Sequence, residues 1–281
     1  MDHVPAELFD RLERFYDAVP RDGARPEEFG SLVLFVREGA GWPFYARPRL
    51  DASRPPSVAD IDAVRARQRE LGLPEAFEWV HETTPELLAV ARSAGLAVLE
   101  APLLVLDPAA TPDPAGFTDV PVWLLDPAAP DFATQVATRR AVAAVGFSAP
   151  GTAPGAAGPA ERNAAVGELD LAAVEEEASR TAAGRRVSAL AGTPVEGALA
   201  SGMAMRVDDV AEIAGVATLP AARGRGLGAA VTAALARALR DAGTDLVFLS
   251  AGSEEIARVY VRVGFRRIGT ACIAEPTAVL P

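Results

Sequence analysis

The chain has 281 residues, half of them hydrophobic, enough to bury one sizeable core or two. Its net charge of −11, with no basic cluster, argues against nucleic acid as a partner. One cysteine (Cys272), two histidines (His3 and His81) and no secretory or membrane-spanning stretch point to a cytoplasmic protein, no membrane association and no metal site.

Residues 1–30 contain an amphipathic helix with Leu8, Leu12, Phe15 and Val19 on one face. Trp42, Phe44, Tyr45 and Trp79 sit at strand-like spacing, which fits core packing better than pocket lining. Val58–Leu71 predicts a helix ended by Gly72, Phe77–Val80 a strand, Pro85–Ala94 a helix ended by Gly95, and Val98–Leu106 a further strand. Asp107–Gly116 carries three prolines and no periodicity, so it reads as a linker between a first domain, residues 1–110, and a second, residues 117–281. The second opens with a strand at Val122–Leu125 and a helix over Asp131–Val145; Trp123 and Phe132 there fit the core. Ser148–Gly158 is rich in Gly, Ala and Pro and predicts a loop. A helix over Leu169–Ala183 follows, then strands near Arg186–Leu190, Ala198–Met205 and Ala211–Thr218.

The most informative segment comes next. Val216–Ala230 reads as the end of a strand, a loop bearing Pro220, the glycines Gly224, Gly226 and Gly228, then a helix with Leu227, Val231, Leu235 and Leu239 at spacing four. A glycine-rich turn opening a helix suits a pyrophosphate, because its N–H groups lack helical partners and the helix dipole adds positive charge. Gly224-x-Gly226-x-x-Ala229 formally fits a dinucleotide fingerprint, but no acidic residue ends the next strand-like run, Asp245–Ser250. Only about fifty residues follow the loop, too few for a doubly wound nucleotide domain, and a phosphate loop is excluded because the chain has no lysine. After the next strand, Leu246–Leu249, Ser253 caps a helix through Ile256, Val259 and Tyr260, and Gly264-Phe265 leads into a last strand to about Ile273.

Arg223-x-x-Gly226-x-Gly228 resembles the acetyl-CoA loop of the GNAT acetyltransferase superfamily. Ser-Glu-Glu-Ile-Ala-Arg-Val-Tyr-Val-Arg-Val-Gly-Phe, residues 253–265, is similar to that family's second signature, with Ser253 where Asn is usual. The resemblance implies an α/β (α+β) fold of tandem GNAT-like domains, each a mixed, mostly antiparallel sheet flanked by helices. It implies acetyl-CoA as co-substrate, with the pantetheine arm along Val216, Ala217 and Thr218. The pyrophosphate would lie on the amides of Gly224, Arg225, Gly226, Leu227, Gly228 and Ala229, with Arg223, Arg225 and Ser253 beside it. Tyr260 would protonate the departing sulfur, a suitable task for a phenol. The proton of the attacking amine would go to Glu212, on the strand before the loop, directly or through water, or to solvent alone.

Residues 58–106 match Ala229–Ile273 element by element, with Gly95-Leu96 falling on Gly264-Phe265. Ser53-Arg-Pro-Pro-Ser57 replaces the glycine loop and Ala91 replaces Tyr260, so the first domain resembles a degenerate GNAT copy without a cofactor site. The expected function is acetyl transfer to a primary amine of a small molecule or peptide by direct attack, in a monomer or homodimer. The alternative is a non-catalytic acyl-CoA sensor. The acidic overall charge leans towards a cationic acceptor.

Overall fold

The computed structural model describes residues 6–39, 43–167 and 170–277. His3 and Trp42 therefore lie outside the described residues, as does Leu169 at the start of one expected helix. No helix among the described residues is long and apolar enough to cross a membrane.

Helix α1 (Ala6–Arg21) buries Leu12 and Phe15 of its apolar face, while Leu8 and Val19 are half-buried. A hairpin that the periodicity did not reveal follows, β1 (Ala24–Phe29) and β2 (Leu32–Arg37), with a two-residue β3 (Arg47–Pro48) on the far side of β2. Gly30, at φ 59°, occupies the tight turn, where left-handed backbone costs glycine nothing. Then come α2 (Val58–Glu70), β4 (Phe77–Val80), α3 (Glu86–Ser93) and β5 (Leu96–Leu106), close to the spans that helix stops and apolar runs predict.

The remaining elements are β6 (Val122–Leu124), α4 (Phe132–Phe147), α5 (Pro159–Ala165), α6 (Leu171–Ala182), β7 (Arg186–Thr193), β8 (Gly197–Val207), β9 (Val210–Thr218), α7 (Leu227–Asp241), β10 (Leu246–Ser250), α8 (Glu254–Val263) and β11 (Phe265–Pro276). Helix α5 is absent from the sequence expectation. Its signals were present in Pro159 at the first helical position and in Glu161, which accepts the Gly158 N–H at 2.6 Å.

The chain forms two compact units, residues 1–103 with 268–281, and residues 104–267. The sequence places the division at residues 107–116 and gives the whole C-terminus to the second domain. The compact units divide the chain after residue 103 instead, and return residues 268–281 to the first unit. The end of β11 runs antiparallel to β4, with Cys272 opposite Trp79, and Cys272 and Ala274 are fully buried in the first unit's core beside Phe77 and Leu87. The expected linker is itself packed: Pro114 is buried in a 3-10 turn, and the Arg240 guanidinium donates to the carbonyls of Pro108 and Ala110.

Within the second unit the strands lie in the order β10-β9-β8-β7-β6, and the core fills both faces of that sheet. One face carries α4, whose Gly146 lies so close to β9 that a Cβ there would sit 2.8 Å from the Ala217 methyl. The other carries α7, where a Cβ on Gly202 of β8 would meet Val231 at 2.8 Å and Leu235 at 3.1 Å. Helix α7 differs from the one-sided helix that its leucine stripe predicts. Its alanines Ala229, Ala230, Ala233, Ala234 and Ala236 are buried along with the stripe, because small side chains let it pack closely on several sides.

Candidate functional site

The site is built where β9 parts from β10. The two strands are parallel and in register only from Val210↔Leu246 to Glu212↔Phe248, although β9 runs on to Thr218. Two features push β9 away. Gly215 adopts φ 62°, and residues 215 and 216 together oppose Gly202 on β8, a bulge that bends the strand and re-aims its peptide groups. An isolated glycine inside a strand pattern signals such a bulge. Beyond it, no strand among the described residues pairs with the edge of β9 facing away from β8, so its polar backbone is available to a ligand.

At the end of β9 the chain turns through Pro220–Ala222, and Arg223 leads into the glycines. Gly224 and Gly226 take φ 79° and 76°, and the first helical hydrogen bond runs from the Ala230 N–H to the Gly226 carbonyl at 3.0 Å. The amides of residues 227–229 therefore precede the helical ladder, and Gly226 offers no side-chain cap. Here is a helix N-terminus whose dipole and first amides meet no side-chain cap among the described residues. A Cβ on Gly224 would meet nothing within 4 Å, so the loop opens outward there. On Gly228 it would come 3.4 Å from the Thr218 hydroxyl and 3.9 Å from Val216, which fixes those two side chains on the α7 side of β9. Ala217 points the other way, against Gly146.

The two arginines are engaged within the protein. Arg223 donates to the carbonyls of Gly146 (2.8 Å), Ala149 (2.6 Å) and Ala153 (3.1 Å). It thus caps the C-terminal end of α4 and straps the 148–158 segment down, a favourable place for a cation. The strap is reinforced by Gly155 N–H to the Pro220 carbonyl, Ala221 N–H to the Ala157 carbonyl, and the Thr152 hydroxyl on Glu255 of α8. Arg225 forms a two-pronged ion pair with Glu196, at 3.0 and 3.3 Å. Ser253 caps α8 by accepting the Ile256 N–H at 3.2 Å.

Tyr260 lies on α8, buried in the core of the second unit and edge-on to Phe265 at 6.3 Å. Burial pushes its phenol up to about 12, so it holds its proton throughout the physiological range and donates it less readily than a solvated phenol. Glu212 is half-buried and occupies the last register position that β9 shares with β10. Its cross-strand neighbours are Met205 and, one strand further, Arg186, and cross-strand partners share a face. The next row on that face is Ser188, Met203 and Ala214, and Arg139 of α4 reaches the Met203 sulfur at 3.4 Å. Glu212 therefore belongs to the α4 face, opposite the side on which Val216 and Thr218 meet α7.

A cavity of about 710 Å³ lies away from this loop, beside the C-terminal half of α7 and the β6 edge. Asp113, Asp119, Asp241 and Arg237 line it, and none of the loop glycines does. The diverging strands and uncapped helix define the site better than volume does, because they supply directed donors.

Residues 195–274 match the family model described as FR47-like protein. No curated protein matches the chain. Among solved structures, a GCN5-related N-acetyltransferase from Kribbella flavida is 22% identical, with 95% of this chain and 96% of that one covered and a TM-score of 0.64. A GCN5-related N-acetyltransferase-like protein from Streptococcus suis is 13% identical, covering 96% and 98%, with a TM-score of 0.55. A conserved protein of unknown function from Staphylococcus epidermidis is 14% identical, covering 94% and 97%, with a TM-score of 0.54. The chain thus carries the GNAT fold along nearly its whole length, with an FR47-like segment at residues 195–274.

Proposed function

We propose that the second unit is an acetyl-CoA-dependent N-acetyltransferase acting on a primary amine of a small molecule or peptide. The observation that carries this reading is the open edge of β9 after Glu212, ending at an uncapped α7 N-terminus. An extended amide-bearing arm pairs with such an edge as a strand would, and a pyrophosphate suits the amides of residues 224–229. Arg223 and Arg225 shape the loop in this reading, since their guanidinium groups are already paired.

Acetyl-CoA, when bound, supplies a thioester carbonyl carbon open to attack. The chain's own residues do the rest. Glu212 accepts a proton from the amine, directly or through one water, freeing the nitrogen lone pair. The new C–N bond forms as the C–S bond breaks, and the sulfur leaves as thiolate or takes the Tyr260 proton. With burial raising its phenol to about 12, Tyr260 keeps its proton and serves the departing sulfur chiefly as a hydrogen-bond donor.

The first unit, in this proposal, is a scaffold copy that has closed its own anion site. By the element-by-element sequence match, helix α2 corresponds to the glycine-opened α7, yet its first turn is filled by the chain. Ser57 accepts the Asp60 N–H at 3.3 Å, and Asp60 accepts the Ser57 N–H at 2.9 Å. A carboxylate of the protein thus occupies the place of a phosphate.

The test is thermal stability with acetyl-CoA, CoA, NAD and ATP, followed by thiol release with a panel of amines. CoA compounds at 100 times Kd should add about 2.7 kcal/mol, roughly 5–10 °C. Glu212→Gln should lose most activity at low pH, with the loss shrinking as hydroxide takes over. No shift with CoA compounds would refute the reading. A shift without thiol release would favour an acyl-CoA sensor.

A further inference from the structure

On the α4 face of the second unit, three arginines converge on one carboxylate. Glu177 of α6 accepts from Arg139 at 2.8 Å and Arg186 at 3.4 Å, lies 3.6 Å from Arg140, and receives the Ser188 hydroxyl at 3.4 Å. Burial alone pushes the Glu177 carboxyl up, but Arg139, Arg186 and Arg140 together hold it below the ordinary carboxylate range. The arginines are not matched in return. Arg139 and Arg186 each also turn an N–H to the Met203 thioether, at 3.4 and 3.7 Å, a weak acceptor for a cation. The Nε of both is buried without a hydrogen-bond partner among the described residues.

Two guanidinium groups buried against one carboxylate leave a surplus positive charge, which is costly unless something answers it. The surplus reaches the surface through Arg186, whose side chain is 16% exposed, and Arg140, at 45%. It also lies beside the reacting groups. Arg186, Met205 and Glu212 stand side by side across β7, β8 and β9, which sets the first and last about 10 Å apart at their Cα atoms.

We propose that this arginine cluster recognises a carboxylate on the acceptor, so that the acceptor is an amino-acid-like molecule with its amine at Glu212 and its carboxylate at Arg186 and Arg140. The inference rests on the acyl-transfer reading above and deepens it. A guanidinium fork matches a planar carboxylate, and an arginine side chain spans much of the gap to Glu212. The net charge of −11 suggests a cationic acceptor; the local field at Glu212 has the opposite sign, and it is the local field that an acceptor meets.

The test uses matched acids and amides, glycine with glycinamide, β-alanine with β-alaninamide, and 4-aminobutyrate with its amide. Binding to the full-length, CoA-saturated protein is measured by calorimetry, and thiol release from acetyl-CoA is measured alongside. For at least one pair the acid should bind about 10-fold or more tighter than the amide, and the ratio should fall to within about threefold in Arg140→Gln and Arg186→Gln. Arg140 is half exposed, so its substitution leaves the fold intact even if that of Arg186 does not. Equal binding of acid and amide in every pair, or a ratio that survives both substitutions, would overturn the inference. Tight binding of the acids with CoA bound but no thiol released would refute acyl transfer and leave the carboxylate site standing.

Discussion

Alanine substitution at the three loop glycines separates the fold from the ligand site, because each glycine is required for a different reason. At Gly226 a Cβ would lie 2.1 Å from the Phe117 carbonyl oxygen and 2.9 Å from its carbon, both backbone, and φ is 76°. Left-handed backbone costs about 1–2 kcal/mol for a residue with a Cβ, and the overlap adds about 1–3 kcal/mol. Gly226→Ala should therefore lose about 2–5 kcal/mol, or roughly 5–20 °C in Tm. Gly224, at φ 79° with nothing within 4 Å, carries only the backbone cost of about 1–2 kcal/mol. Gly228 is helical, and its new methyl would make ordinary contact with the Thr218 hydroxyl at 3.4 Å. Gly228→Ala should be as stable as the parent, or more so by up to about 1 kcal/mol. That methyl would fill the gap between the first turn of α7 and the open edge of β9, so Kd for CoA should rise about 10-fold or more, equivalent to about 1.4 kcal/mol. Thermal melts and calorimetric CoA titration of the three variants check this. A Gly228→Ala protein with unchanged CoA affinity would refute the placement of the phosphate at α7, and an undisturbed Gly226→Ala would refute the backbone argument.

Tyr260→Phe keeps the edge-on ring contact with Phe265, so stability and CoA affinity should hold while kcat falls roughly 10- to 100-fold; full activity would remove the phenol from the mechanism. Arg223→Ala frees three carbonyls of the 146–153 segment, so hydrogen exchange over residues 148–158 should rise, with a stability loss of about 1–3 kcal/mol. Exchange unchanged from the parent would show that the strap holds without this arginine. Arg54 draws the Asp60 carboxyl down to about 2, against the upward push of burial and with help from Ser57. A depressed carboxylate contributes stability that is complete above its unfolded value, near 3.9, and is lost as pH falls through its folded value. Melts from pH 5 to pH 2 should therefore show the parent losing about 1–2 kcal/mol more than Asp60→Asn, a figure reduced because Arg54 is half exposed. Parallel curves would remove Asp60 from the acid sensitivity.

Local chemistry made much of this protein legible in one dimension. The stripe Leu227, Val231, Leu235 and Leu239, the stops at Gly72, Gly95 and Gly264, and the cap at Ser253 each act within a few residues of themselves, so these helices of both units are readable from sequence. The glycines Gly224, Gly226 and Gly228 are legible for the same reason, since backbone freedom is a property of the residue itself. Tertiary structure alone decided where β11 ends up. Phe265–Ile273 reads as a strand from its own residues, yet only pairing with β4 assigns its second half to the first unit's core. It alone turned Arg223 away from the loop, because the carbonyls it satisfies lie about 70 residues earlier in the chain. The cluster of Arg139, Glu177 and Arg186 is likewise drawn from α4, α6 and β7, and no spacing in the sequence connects them. A helix cap is a contract between neighbours in sequence, whereas an ion-pair cluster is one between neighbours in space, and only folding makes those neighbours known.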